Sequence, residues 1–161
     1  MESLTSKLIR ENTPQAFEYL DYAKRIFDAL PEEITQNETQ VLVNCHHLAA
    51  LIKKRFSDLI WYSGEFATDI LLPKRDLECF ISKGYLGQTG APVPHSWLGT
   101  LDHSVLLDPY PIGYASGPIL LQGRVHIPAN YGIPVSYLEL RTQSFKDQIA
   151  ILSGILQEKG I

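Results

Sequence analysis

From Ala16 to Leu30 apolar residues return every three or four positions: Ala16, Phe17, Leu20, Ala23, Phe27 and Leu30, with Ile26 beside them. That period predicts an amphipathic helix. Thr13-Pro14 starts it, a Thr cap followed by Pro at the first helical position, and Pro31 stops it. Met1 to Asn12 is polar and weakly patterned and reads as a short helix or a loose arm. Glu32 to Thr39 is polar and reads as a loop. A short apolar run, Val41 to Val43, then leads into a second helical stripe of Leu48, Leu51, Ile52 and Phe56. Its start is sharply marked. Asn44 is a preferred cap because its side-chain oxygen can accept from a first-turn amide, which places Cys45 at the first helical position. Lys53, Lys54 and Arg55 fill the last turn, where positive charge suits the helix dipole.

Beyond Ser57-Asp58 the period changes. Leu59 to Ala67 is rich in aromatic and apolar residues and predicts a strand. Leu77, Cys79, Phe80 and Ile81 predict a short helix closed by Gly84, with Cys79 on or near its buried side. Tyr85 to Pro94 carries two glycines and two prolines and reads as a loop. His95 to Leu101 and Ser104 to Asp108 predict two strands joined by a hairpin turn at Asp102-His103. Asp108-Pro109-Tyr110-Pro111 ends the second strand, because two prolines cannot continue an interior ladder. Gly113 to Gly117 reads as a turn, and Pro118 to Ile127 and Val135 to Leu140 read as further strands. A last helix is expected from Ser144, with Asp147 completing a capping box and Phe145, Ile149, Leu152 and Leu156 along one side. Helices, then an antiparallel sheet, then a helix argue for an α+β fold in a single domain over residues 1–161.

Composition narrows the function classes. The 161 residues are 45% hydrophobic and 20% charged, as in ordinary globular proteins. A net charge of −4 gives no general attraction for nucleic acid or an anionic membrane surface. The chain opens on no basic-then-apolar signal pattern and has no run of membrane-spanning length, so a cytoplasmic protein is expected. The two cysteines, Cys45 and Cys79, form no C-x-x-C pair and are expected as free thiols.

Cys45 is the residue to which the other candidates relate. A thiol at a helix N-terminus sits at the positive end of the dipole, and such thiols can fall from about 8.5 to roughly 3.5–7.5. A thiolate nucleophile needs a base in reach and a third group that fixes the base's tautomer. His95 opens one strand of the expected hairpin and Asp108 ends the other, each about six residues from the turn. They would lie near one end of the pair, within cross-strand reach.

A Cys-led helix, then H-S-W in a strand, then L-D-P-Y-P closing the next, resembles the transglutaminase-like branch of the papain-like cysteine peptidase superfamily. The resemblance spans Val41 to Pro111. It implies a papain-like α+β fold in which the helix carrying Cys packs on an antiparallel sheet carrying His and Asp. It also implies Cys45 as nucleophile, His95 as general base and Asp108 as the orienting acid, with Trp97 as the aromatic two residues after the histidine. The reaction implied is hydrolysis or acyl transfer at an amide bond of a peptide or protein substrate, through a thioester and without a cofactor. The chain departs from the family pattern around the cysteine, where Asn44 precedes it and His46 follows. Gln40, five residues upstream, is a candidate oxyanion donor, and the Cys45 backbone amide is another. Asn44, Trp97 and Tyr110 are the remaining substrate-side candidates.

Each residue also has a structural reading. A lone cysteine is commonly a small buried hydrophobe. A strand histidine can be a hydrogen-bonded core residue, an Asp before Pro is a frequent turn residue, and Trp97 and Tyr110 can simply pack. If those readings hold, the chain is a binding module of the same fold without chemistry. His46 and His47, with His95, His103 and Cys45, raise a metal-dependent hydrolase as a third option. Adjacent helical residues diverge by about 100°, and no zinc-binding spacing is present, so no metal is expected. His103 and His126 are expected to be surface or structural.

Overall fold

The computed structural model describes residues 14–66, 93–101, 105–110, 117–122, 131–134 and 137–161. The expected N-terminal segment, the Cys79 helix, residues 85–92 of the loop expected over Tyr85 to Pro94, the turn at Asp102-His103, residues 113–116 of the expected turn and His126 lie outside the described residues, while Val93 and Pro94, expected in the loop, are the first residues of a strand.

The fold is α+β. Helix α1 is Pro14–Ala29, and a two-stranded hairpin follows, β1 Glu33–Gln36 with β2 Thr39–Leu42. Helix α2 is Cys45–Arg55. A five-stranded sheet comprises β3 Ile60–Phe66, β4 Val93–Gly99, β5 Val105–Asp108, β6 Ile119–Gln122 and β7 Tyr131–Pro134. A 3₁₀ turn, Leu138–Arg141, leads to helix α3, Gln143–Glu158. The sheet order is β6-β5-β4-β3-β7, and every pairing in it is antiparallel.

The core explains why α2 is central. Leu48, Ala49 and Ile52 are almost wholly buried, together with Ala23 and Ile26 of α1, Leu98 and Leu107 of the sheet, and Leu152 of α3. Side chains alternate between the two sides of a strand. Leu98, Leu107 and Leu120 accordingly join the helical core, and the alternate positions His95, Trp97 and Asp108 are buried outside that apolar cluster. At the C-terminal end of α2, Phe56 stands edge-on to Tyr19 and Tyr22 of α1 at 4.9 and 5.6 Å between ring centroids. Lys53 Nζ donates to the Ser57 and Leu59 carbonyls at 2.6 Å each, a cation serving the negative end of the helix.

Three expectations change. The loop expected over Glu32 to Thr39 is a hairpin whose two turn residues, Asn37 and Glu38, have φ of 50° and 67°. Turns of that hand match the twist of paired strands, and Asn enters the left-handed region readily. The strand expected over Val135 to Leu140 is replaced by Tyr131–Pro134 and the 3₁₀ turn. Proline has no N–H to extend a ladder, and Leu138 is 79% exposed, so its alternation marks no buried side. Helix α3 is capped by Thr142, whose side chain accepts from the Phe145 amide, and Asp147 instead accepts from the Gln143 side chain.

The β4–β5 pair is built on a close approach. Its register sets Leu98 opposite Leu107 and Gly99 opposite Leu106. A Cβ at Gly99 would lie 2.8 Å from the Val105 carbonyl oxygen, and backbone cannot yield as a flexible side chain would. Gly99→Ala is therefore expected to cost about 1–3 kcal/mol by overpacking, read as a lower denaturant midpoint at unchanged slope. An unchanged midpoint would contradict this account of the hairpin.

Candidate active site

The start of α2 forms as its sequence indicates. Asn44 Oδ1 accepts from the His46 amide at 2.9 Å. The Asn44 amide in turn donates to His47 Nδ1 at 3.2 Å, closing a reciprocal capping box with histidine in the place of the usual Glu or Gln. Because His47 Nδ1 is an acceptor, its proton is on Nε2, which donates to Gln148 Oε1 of α3 at 2.7 Å. His47 also stacks on Phe145 at 5.2 Å and 22°. The cap therefore fixes where α2 begins and ties that point to α3.

Cys45 is a free thiol at this helix start, 8% exposed. The imidazoles of His46 and His95 are the groups that act on it electrostatically. His95 is fully buried on β4, and its Nε2 donates to Asp108 Oδ2 at 2.8 Å. With Nε2 engaged there, Nδ1 is the ring nitrogen that faces the thiol. Asp108, also fully buried, uses its second oxygen to accept from the Tyr110 amide at 3.1 Å. Continuing the β4–β5 register sets Asp108 across from Trp97, so His95 and Asp108 are diagonal neighbours on one side of the hairpin.

Electrostatics follow from these contacts. Burial pushes the Cys45 thiol up, but the hydrogen bonds and charges of His46 and His95 outweigh it, and the thiol falls from 9.0 to about 6. Burial pushes the His95 imidazole down, but the Asp108 charge and hydrogen bond, then Cys45, raise it from 6.5 to about 10. Between those limits the favoured state is a thiolate beside an imidazolium.

The other expected site residues separate. Trp97 is fully buried and stacks between His95 and Tyr62, each 6.1 Å away, so it holds the imidazole plane. Tyr110 is half-buried with its ring against Phe27 at 5.5 Å. Asn44 commits its side-chain oxygen to the cap. Gln40 lies exposed on β2, where its side chain donates to Glu33. That contact engages Gln40 with Glu33 within the small hairpin. The pairing of β2 with β1 carries its side chain to the solvent side of the small hairpin.

Two further residues join the site. The sequence suggests His46 only as a metal ligand, yet its Nδ1 lies 2.6 Å from the buried Ser96 Oγ. Its ring meets Tyr137 edge-on at 5.9 Å. The adjacency of His46 to Cys45 and of Ser96 to His95 was the available signal. The rings of His46 and His47 are engaged by different partners, Ser96 and Gln148, and among the described residues no three His, Cys, Asp or Glu side chains converge as metal ligands. A cleft of about 320 Å³ opens beside the start of α2, lined by the Asn44 cap, His46 and His47 and by Glu139, Thr142 and Gln148. Among the described residues no helix is long and apolar enough to cross a membrane.

No family model, curated protein or solved structure matches the chain.

The His47 cap makes a stability prediction. Burial, the largest influence, pushes this imidazole below its ordinary 6.5, against the Gln148 bond. The folded state thus favours neutral His47. Its contribution is complete above about 6.5 and is lost as the pH falls through the lower folded value. Unfolding free energy measured against pH should fall on acidification more steeply in wild type than in His47→Gln, which keeps a capping side chain without a titration. Parallel curves would contradict the neutral cap.

Proposed function

We propose that the chain is a cysteine-dependent hydrolase or acyl transferase with a papain-like, transglutaminase-like fold, acting on an amide bond of a peptide or protein. The observation that carries this reading is the buried His95 Nε2–Asp108 Oδ2 bond of 2.8 Å, on an imidazole whose other side meets Cys45 at a helix start. Structural histidines and cysteines do not need this arrangement. A buried carboxylate and imidazole cost desolvation, which suits a site that must hold a charge next to a thiol.

In the proposed reaction the Cys45 thiolate attacks the carbonyl carbon, a C–S bond forms, and the carbonyl electron pair moves to oxygen. Collapse of that intermediate breaks the C–N bond, and the His95 imidazolium protonates the departing amine. Asp108 keeps Nε2 protonated and the ring oriented throughout. The acyl group remains on Cys45 as a thioester until water or a second amine, deprotonated by His95, attacks it; collapse then breaks the C–S bond and restores the Cys45 thiolate beside the His95 imidazolium. The Cys45 backbone N–H, at the first position of the helix, is the donor this reading assigns to the oxyanion.

Alkylation of Cys45 by iodoacetamide tests the thiol–imidazole pair without a known substrate. The rate should rise with a midpoint near 6, and the midpoint should move up toward the ordinary thiol value in His95→Ala and Asp108→Asn. Cys45→Ala should keep the fold and the unfolding midpoint and lose all thioester formation with an activated acyl ester. A wild-type midpoint near 9, unmoved by either histidine or aspartate substitution, would overturn the reading.

A further inference from the structure

Two imidazoles act on the Cys45 thiol, and the mechanism above uses only one. His46 follows Cys45 in the first turn of α2, is 9% exposed, and lines the cleft beside that turn together with Asn44. Its ring is fixed on two sides. Nδ1 lies 2.6 Å from Ser96 Oγ, and Ser96 is fully buried on β4 directly after His95. The edge contact with Tyr137 supplies the second restraint, and Tyr137 is itself anchored by its hydroxyl, which donates to the Gly64 carbonyl at 2.7 Å. When the Ser96 hydroxyl donates to Nδ1, the ring proton is on Nε2, which leaves the imidazole an N–H to offer at the start of α2.

We propose that His46 is a further catalytic residue, whose Nε2–H donates to the oxygen that becomes anionic when Cys45 attacks a carbonyl. With the Cys45 backbone N–H it completes a two-donor oxyanion site, the place left open by Gln40, whose side chain is turned to Glu33. Ser96 is the positioning residue that selects the tautomer. The inference rests on the reading of Cys45, His95 and Asp108 as an acyl-transfer centre. In the resting site the Nε2–H faces a thiolate. As the C–S bond forms, negative charge passes from sulfur to the carbonyl oxygen, and a fixed donor beside both atoms serves the charge in its new place. No proton leaves His46 in this step. A donor oriented in advance stabilises the intermediate without reorganising, and loss of one such donor costs about 10²–10³-fold in rate.

Two reagents separate this role from simple activation of the thiol. Iodoacetamide alkylates through a displacement with no oxyanion, whereas p-nitrophenyl acetate acylates through a tetrahedral one. Both rates are measured on the full chain for wild type, His46→Phe, His46→Gln, Ser96→Ala and His95→Ala, with circular dichroism and unfolding midpoints to verify the fold. His46→Phe should lose about 10²-fold more acylation than alkylation. His46→Gln, which retains an N–H donor, should recover part of that loss, and Ser96→Ala should show a smaller loss of the same kind. If His46→Phe does not fold, the Gln and Ala variants carry the same comparison. Equal losses in the two reactions would overturn the proposal, since His46 would then act on thiol ionisation alone. Unchanged rates in the His46 and Ser96 variants, with His95→Ala still slowing both reactions, would also overturn it and leave the proposed function intact. If His95→Ala slows neither reaction, the proposed function fails and this inference fails with it.

Discussion

The buried bond between His95 and Asp108 is the constraint on which the rest depends. Neither group can be placed in a solvent-free interior alone, because an unpaired buried charge costs several kcal/mol. The pair is tolerable only if the β4–β5 register holds them in diagonal contact, and that register rests on the close approach of Gly99 to the Val105 carbonyl. The Asp108 carboxylate is secured from its other oxygen by the Tyr110 amide, just past Pro109. Trp97 and Tyr62 then fix the plane of the imidazole by stacking. Sheet geometry, turn chemistry and aromatic packing therefore all serve one ring orientation.

The second half of the site arrives on a different element, and its placement is equally determined. The apolar stripe of α2 seats the helix against α1, the sheet and α3, while the Asn44–His47 box decides at which residue it begins. Cys45 meets His95 only because both conditions hold. A helix starting one residue later would turn Cys45 out of the first turn and forfeit the amides there. His47 contributes nothing to the proposed chemistry directly, yet its neutral ring joins Asn44 to Gln148 and so couples the helix start to α3.

Much of this was legible in the chain. The α1 helix, the α2 stripe, the Asn44 cap, the position of Cys45 and the His95/Asp108 pairing follow from local rules: helical period, cap chemistry and antiparallel counting. The α1 stripe is only partly so, because Phe17 is 41% exposed and Ile26, expected beside the stripe, is fully buried. The β1–β2 hairpin was not legible, because Asn37-Glu38 lacks the glycine that usually marks such a turn. The strand expected at Val135 to Leu140 followed alternation that no buried side supports, with Leu138 in solvent. His46 and Ser96 escaped notice for a different reason. Their contact links positions fifty residues apart and exists only after α2 docks on β4, so no local period records it. Gln40 shows the converse: correct spacing from the cysteine, but a strand between them that directs the side chain to Glu33.

A charged imidazole between Asp108 and Cys45 at neutral pH is what the proposed chemistry requires. Nitrogen-15 NMR of the His95 ring measures this directly. Both ring nitrogens should remain protonated at neutral pH, with the charge retained up to a pH of about 10 and lost earlier in Asp108→Asn. A neutral His95 ring at neutral pH, titrating near the ordinary 6.5 and unaffected by Asp108→Asn, would contradict it.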